Sequence, residues 1–137
     1  VALEVIAVIE ETGLVAHAAA MGERLFAGLD AVAAAHPEVI SEVRGLGLMA
    51  GIEYAEDSMG PRMSYHLADH GVLAVYSGNQ PSVMRLMPSL VVGEDEVDFL
   101  LEALDAACVD LESGAGPEAA APTRPRRRPA RPAATAS

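Results

Sequence analysis

Val43-Arg44-Gly45-Leu46-Gly47-Leu48-Met49-Ala50-Gly51-Ile52-Glu53-Tyr54 is the stretch of this 137-residue chain that decides its fold. Its hydrophobic period is two. Leu46, Leu48, Ala50, Ile52 and Tyr54 fall on one face, and Gly45, Gly47, Met49, Gly51 and Glu53 on the other, which predicts one or two strands between Val39 and Tyr54. The glycine face has little side-chain bulk, so either it bends or another backbone lies close to it. These glycines also invite comparison with the dinucleotide-binding G-x-G-x-x-G turn. That motif needs its third glycine one place earlier and must open a helix, whereas this run sits inside a strand pattern, so close backbone packing is the better reading.

Upstream the period lengthens. Val15, Ala18, Gly22, Leu25, Leu29 and Val32 recur at steps of three and four, with Ala19, Phe26 and Ala33 widening the stripe, and this predicts a core-facing helix. His36-Pro37 ends it, because the residue before a proline is pushed out of helical geometry. Before Gly13, residues 1–11 are apolar except at Glu4, Glu10 and Glu11, which predicts a helix covered on most sides. Downstream, Asp57 to Gly60 reads as a turn and Pro61 to His70 as a short helix stopped by Gly71. Val72 to Tyr76 and Val83 to Met87 read as two strands of a hairpin joined through Ser77-Gly78-Asn79-Gln80-Pro81. A last helix is expected after Gly93, with Glu94, Asp95 and Glu96 at its positive end and a stripe of Val97, Leu100, Leu101, Leu104 and Cys108. The order predicts a small α+β fold: a mainly antiparallel sheet with helices packed on one face.

Residues 1–112 carry nineteen acids against four arginines, while 113–137 carry one acid against five arginines. The first part is expected to be a single domain. The second, rich in Pro, Ala and Arg, is expected to be a disordered tail, since it lacks the apolar residues to offset the entropy of ordering it. An acidic body repels phosphate backbones and anionic membranes, so nucleic acid is an unlikely partner and a membrane is not expected. Arg124, Arg126, Arg127, Arg128 and Arg131 in the tail are a weaker signal for nucleic acid or an acidic partner, with no aromatic residue to stack on bases. The lone Cys108 excludes an internal disulfide and suits a reducing, cytoplasmic setting. No apolar run approaches the roughly 20 residues of a membrane span. The N-terminus reads as the inside of a helix, as if the chain were part of a longer one.

Few residues invite chemistry. His66 and His70 share one face of a short helix at a spacing that can bind zinc. No third ligand is evident, so no metal is expected and both are read as solvent-exposed histidines. Cys108 lies on the apolar stripe of the last helix and reads as core. Arg85 is the informative residue. Within Val83-Met84-Arg85-Leu86-Met87-Pro88 its neighbours are apolar, so its guanidinium emerges on the opposite face, beside a turn. An arginine on a rigid strand can hold a carboxylate by two parallel hydrogen bonds, the usual device for recognising amino or keto acids. From the residues alone, a structural ion pair with one of the chain's own acids is the better-supported reading of the two.

Four blocks, taken in order, resemble the closing segment of class III aminotransferases, the acetylornithine, ornithine, GABA and putrescine type. They are Val8-Ile9-Glu10-Glu11-Thr12-Gly13-Leu14; His36-Pro37 with Val43 through Glu53; Gly71-Val72-Leu73; and Met84-Arg85-Leu86-Met87-Pro88-Ser89-Leu90. The resemblance implies the C-terminal small domain (residues 1–112) of a fold type I enzyme. In such enzymes a large domain holds pyridoxal 5'-phosphate on a lysine, and the small domain closes over the substrate. Residues 1–12 would connect the two domains, and the parent would be a homodimer acting on an amine or amino acid and a keto acid such as 2-oxoglutarate. Arg85 would contact the substrate carboxylate or a glutamate of the large domain. All nine basic residues here are arginine, so the isolated chain is expected to hold no cofactor, to contain no catalytic residue and to be inactive. The rival expectation is a non-catalytic interaction module that docks on a full-length aminotransferase or another protein.

Overall fold

The computed structural model describes residues 2–114. The expected tail therefore lies outside the described residues from 115 onward. Four helices and four strands follow one another: α1 (Ala2–Glu11), α2 (Leu14–Ala35), β1 (Ile40–Leu46), β2 (Met49–Tyr54), α3 (Met59–Asp69), β3 (Val75–Tyr76), β4 (Val83–Leu86) and α4 (Glu94–Glu112). The sheet order is β1-β2-β4-β3 and every pairing is antiparallel. The fold is α+β, with α2, α3 and α4 over one face of an open sheet.

That face is dry because the strand period delivers it apolar. Ala50, Ile52 and Tyr54 of β2 pair across with Leu86 and Met84 of β4, and with Ile40 and Val43 of β1. They form one core with Leu25 and Leu29 of α2, Met63 and Leu67 of α3, and Val97, Leu104, Cys108 and Leu111 of α4. Full burial of one such side chain stabilises by roughly 1.5–3 kcal/mol. The stripe of α2 holds from Met21 to Val32, but Val15 at its N-terminal end is 71% exposed.

The opening stretch is a tight hairpin rather than one strand. Leu46 pairs with Met49 around Gly47-Leu48, and Gly47 has φ 56°, the positive value that the first position of a two-residue loop demands. The turn resets the alternation, so Leu46 goes to the open face and is 87% exposed, against the expectation that it would share the buried face with Leu48. The close backbone anticipated at these glycines is that of α2: a Cβ on Gly22 would lie 2.6 Å from the Gly47 backbone.

Two expectations about the helices also need correction. The short helix starts at Met59 rather than after a turn ending at Gly60. Helix α1 is not covered: none of its described residues is buried, and Leu3, Val5 and Ile6 are 84%, 54% and 52% exposed. Composition alone predicts that such a helix wants cover, and α2 touches it only at its end. The two helices meet at a 64° bend where Gly13 adopts φ 68°. No single helix among the described residues is long and apolar enough to cross a membrane.

Salt links fasten the helices where the core ends. Arg24 of α2 grips Asp98 of α4 through two hydrogen bonds of 2.9 and 2.7 Å and reaches Glu94 at 3.2 Å. The Gly93 N–H donates to Glu96 Oε2 at 2.8 Å, which closes the start of α4 without a hydroxyl cap.

Candidate functional site

Arg85 sits in the middle of β4, flanked by β2 and β3, opposite Gly51 on one side and Val75 on the other. Its neighbours Met84 and Leu86 are buried in the core, so the pleat turns Arg85 to the open face, where it is exposed. Four residues of strand followed by Pro88 hold its backbone, which leaves only side-chain rotamers free. Beside it lies a depression of about 540 Å³ whose walls include Leu73, Val75, Met87, Glu96, Phe99 and Leu100. An anionic head meeting Arg85 would thus find an apolar wall for its carbon chain. Arg85 enters no ion pair among the described residues, whereas Arg24 and Arg44 both do.

The histidine pair separates. His66 is buried, against the expectation of solvent exposure, because α3 lies between α4 and the β3 end of the sheet. Its ring meets Tyr65 edge-on at 5.6 Å, and its Nε2 has no hydrogen-bond partner among the described residues. His70, also read as exposed, is half-buried, and its Nε2–H donates to Asp110 at 2.7 Å. No group of three or more potential metal ligands forms among the described residues. Cys108 is buried as expected. Burial first, and then the charges of Glu112 and Asp105, push its thiol up to about 12, far from a usable nucleophile. The Gly45 to Gly51 run is the hairpin and opens no helix, so it forms no phosphate cradle.

His36 was legible only as a helix stop. In the structure its Nδ1 and Nε2 each lie 3.0 Å from a carboxylate, of Glu112 and Asp105 respectively, and since a carboxylate only accepts, this pair of contacts favours the imidazolium, in which both nitrogens donate. Burial alone would lower its pKa, but the hydrogen bonds its ring donates to Glu112 and Asp105, with their charges, outweigh that and raise it above the ordinary value. The signal available in sequence was two acids seven apart on one side of α4. His17, also unremarked, has its Nε2 2.8 Å from the Val92 carbonyl and ties α2 to the segment after β4.

Residues 1–108 match the family model for aminotransferase class-III. The chain belongs to the class III aminotransferases. It is 37% identical over 113 residues to an acetylornithine aminotransferase of Thermosynechococcus vestitus, covering 80% of this chain and 27% of that protein. It is 39% identical over 114 residues to a diaminobutyrate–2-oxoglutarate aminotransferase of Rhizobium meliloti, covering 73% and 24%. Among solved structures, the omega transaminase of Pseudomonas jessenii in complex with PMP superposes with a TM-score of 0.74 at 31% identity, covering 85% of this chain and 27% of that one. The chain thus spans about a quarter of the length of the class III relatives it matches. The class is pyridoxal-phosphate-dependent, yet none of these 137 residues is a lysine. The chain therefore offers no lysine side chain to hold that aldehyde cofactor.

Proposed function

We propose that residues 1–112 are the C-terminal small domain of a cytoplasmic class III aminotransferase. The enzyme transfers an amino group between an amine or amino acid and a keto acid such as 2-oxoglutarate. Residues 1–12 connect to a large domain that holds pyridoxal 5'-phosphate, and the parent is a homodimer. The coverage of about a quarter of each relative supports the missing large domain, and the Rhizobium relative's name supports 2-oxoglutarate as the acceptor.

The carrying observation is Arg85: a guanidinium on a rigid strand, free of ion pairs among the described residues, at the rim of an apolar depression. A planar fork in that setting grips a carboxylate through two charge-assisted hydrogen bonds and fixes where the remaining carbons lie. Its contribution is orientation, which turns an encounter into a fixed approach of carbonyl to amine donor. In the polypeptide joining this segment to a lysine-bearing large domain, Arg85→Ala should cut kcat/KM for the keto acid by about 10- to 100-fold, with Arg85→Lys in between. An unchanged kcat/KM would remove Arg85 from the site. The 137-residue chain alone should show neither turnover nor a specific imine absorbance when pyridoxal phosphate is added.

A second reading rests on the uncovered apolar surface of α1. A non-catalytic module docking on a full-length aminotransferase would use that surface. Stable co-elution with a lysine-bearing subunit, without any gain in its activity, would favour it over the first reading.

A further inference from the structure

On the open face of the sheet one cross-strand row runs Arg44, Gly51, Arg85, Val75. Adjacent strands are about 4.8 Å apart, so the two arginine backbones stand roughly 10 Å apart with only a glycine between them. The Arg44 stem lies over that glycine, its Cγ 3.8 Å from where a Cβ on Gly51 would be. From there Arg44 Nη1 donates to Glu53 at 2.5 Å and to Glu42 at 2.9 Å. Glu53 pairs with Val83, which makes it the diagonal neighbour of Arg85. Diagonal positions are about 7–8 Å apart, within joint reach of a glutamate and an arginine.

Glu53 is therefore the acid on this face best placed to neutralise Arg85, and Arg44 already has it. The acid that lines the depression beside Arg85, Glu96, is also engaged, capping α4 at the Gly93 N–H. An arginine paired to its own chain is a poor anchor for an incoming carboxylate, since the existing pair must first be broken.

We propose that Arg44 is a positioning residue for the carboxylate site: by retaining Glu53 it keeps Arg85 unneutralised and ready for an exogenous carboxylate. The inference rests on the reading of Arg85 as a carboxylate anchor. Gly51 leaves the Arg44 stem room to lie across it: a Cβ there would already be in ordinary contact, 3.8 Å from Arg44 Cγ, so a longer side chain would compete with the stem for that space.

The test uses the full 137-residue chain, with the arginine Nε–H resonances followed by NMR during titration with 2-oxoglutarate and folding checked by circular dichroism. Arg44→Ala should shift the Arg85 Nε–H resonance to a carboxylate-bonded position before any ligand is added, and should weaken 2-oxoglutarate binding about two- to fivefold. Adding Glu53→Gln should reverse both effects, whereas a merely structural loss would not be repaired by removing a second charge. Arg44→Lys, which retains a cation for Glu53, should stay near the unsubstituted chain. Binding unaffected by Arg44→Ala, or a loss that Glu53→Gln does not restore, overturns the proposal. If even the unsubstituted chain shows no response to 2-oxoglutarate, the carboxylate reading of Arg85 fails in this chain. The unliganded Arg85 resonance in Arg44→Ala still decides whether Arg44 withholds Glu53.

Discussion

The two faces of the sheet are made from alternate residues of the same strands, yet they solve different problems. Toward the helices, Ala50, Ile52, Tyr54, Met84 and Leu86 are shut into a continuous core. Their polar exception is the Tyr54 hydroxyl, which donates to Met84 Sδ at 3.4 Å and whose pKa burial drives upward. Away from the helices, Leu46, Met49, Arg85 and Val75 stand exposed, interspersed with Gly51 and the Glu42-Arg44-Glu53 cluster. One face is specified by volume and the other by charge placement. Stability should therefore be concentrated on the first and carboxylate recognition on the second.

Substitutions that trade one face for the other test that division. Ile52→Ala, emptying a fully buried site, should cost about 2–4 kcal/mol in urea unfolding, while Leu46→Ala should stay within about 0.5 kcal/mol. Similar losses at both sites would mean that the open face is covered in solution. The rim of the core offers a smaller effect. The raised His36 pKa makes its clamp on Asp105 and Glu112 fully stabilising below the unfolded value near 6.5, and that stabilisation is lost as pH rises through the higher folded value. The carboxylates are half-exposed, so the loss between pH 6 and 9 should be only about 0.5–1 kcal/mol. His36→Gln should flatten that part of the profile, and equal slopes for both proteins would contradict the imidazolium. Least of all, Cys108 in the native chain should resist iodoacetamide at pH 8 and react once urea opens the core. Rapid labelling of folded protein would contradict its burial.

What the sequence made legible follows from what repeats. The stripe of α2, the alternation in β2 and the acidic start of α4 are local periodicities, and each element formed where its pattern lay. The four family blocks were readable for the same reason: they are contiguous. Long-range partnerships were not. Nothing local to His36 announces two acids on α4, and His66 and His70 look alike in sequence although α4 and the sheet end bury only the first. Leu46 was misplaced because a two-residue turn shifts the alternation by one face, and Gly47 was the cue. The exposure of α1 was illegible in another way, since its composition calls for cover that these residues do not supply. At the candidate site Arg85 was readable from its apolar neighbours, but the Arg44–Glu53 bond depends on the register between β1 and β2.

The near-contact of Gly22 with Gly47 carries a practical lesson for anyone altering this protein. A surface turn is ordinarily the safest place to splice in an epitope or a tag. Here the tip of the β1–β2 hairpin lies so close to α2 that Gly22 of the helix has no room for a methyl group against the Gly47 backbone, so an insertion between Gly47 and Leu48 would press α2 away from the hairpin. Fusion partners belong elsewhere.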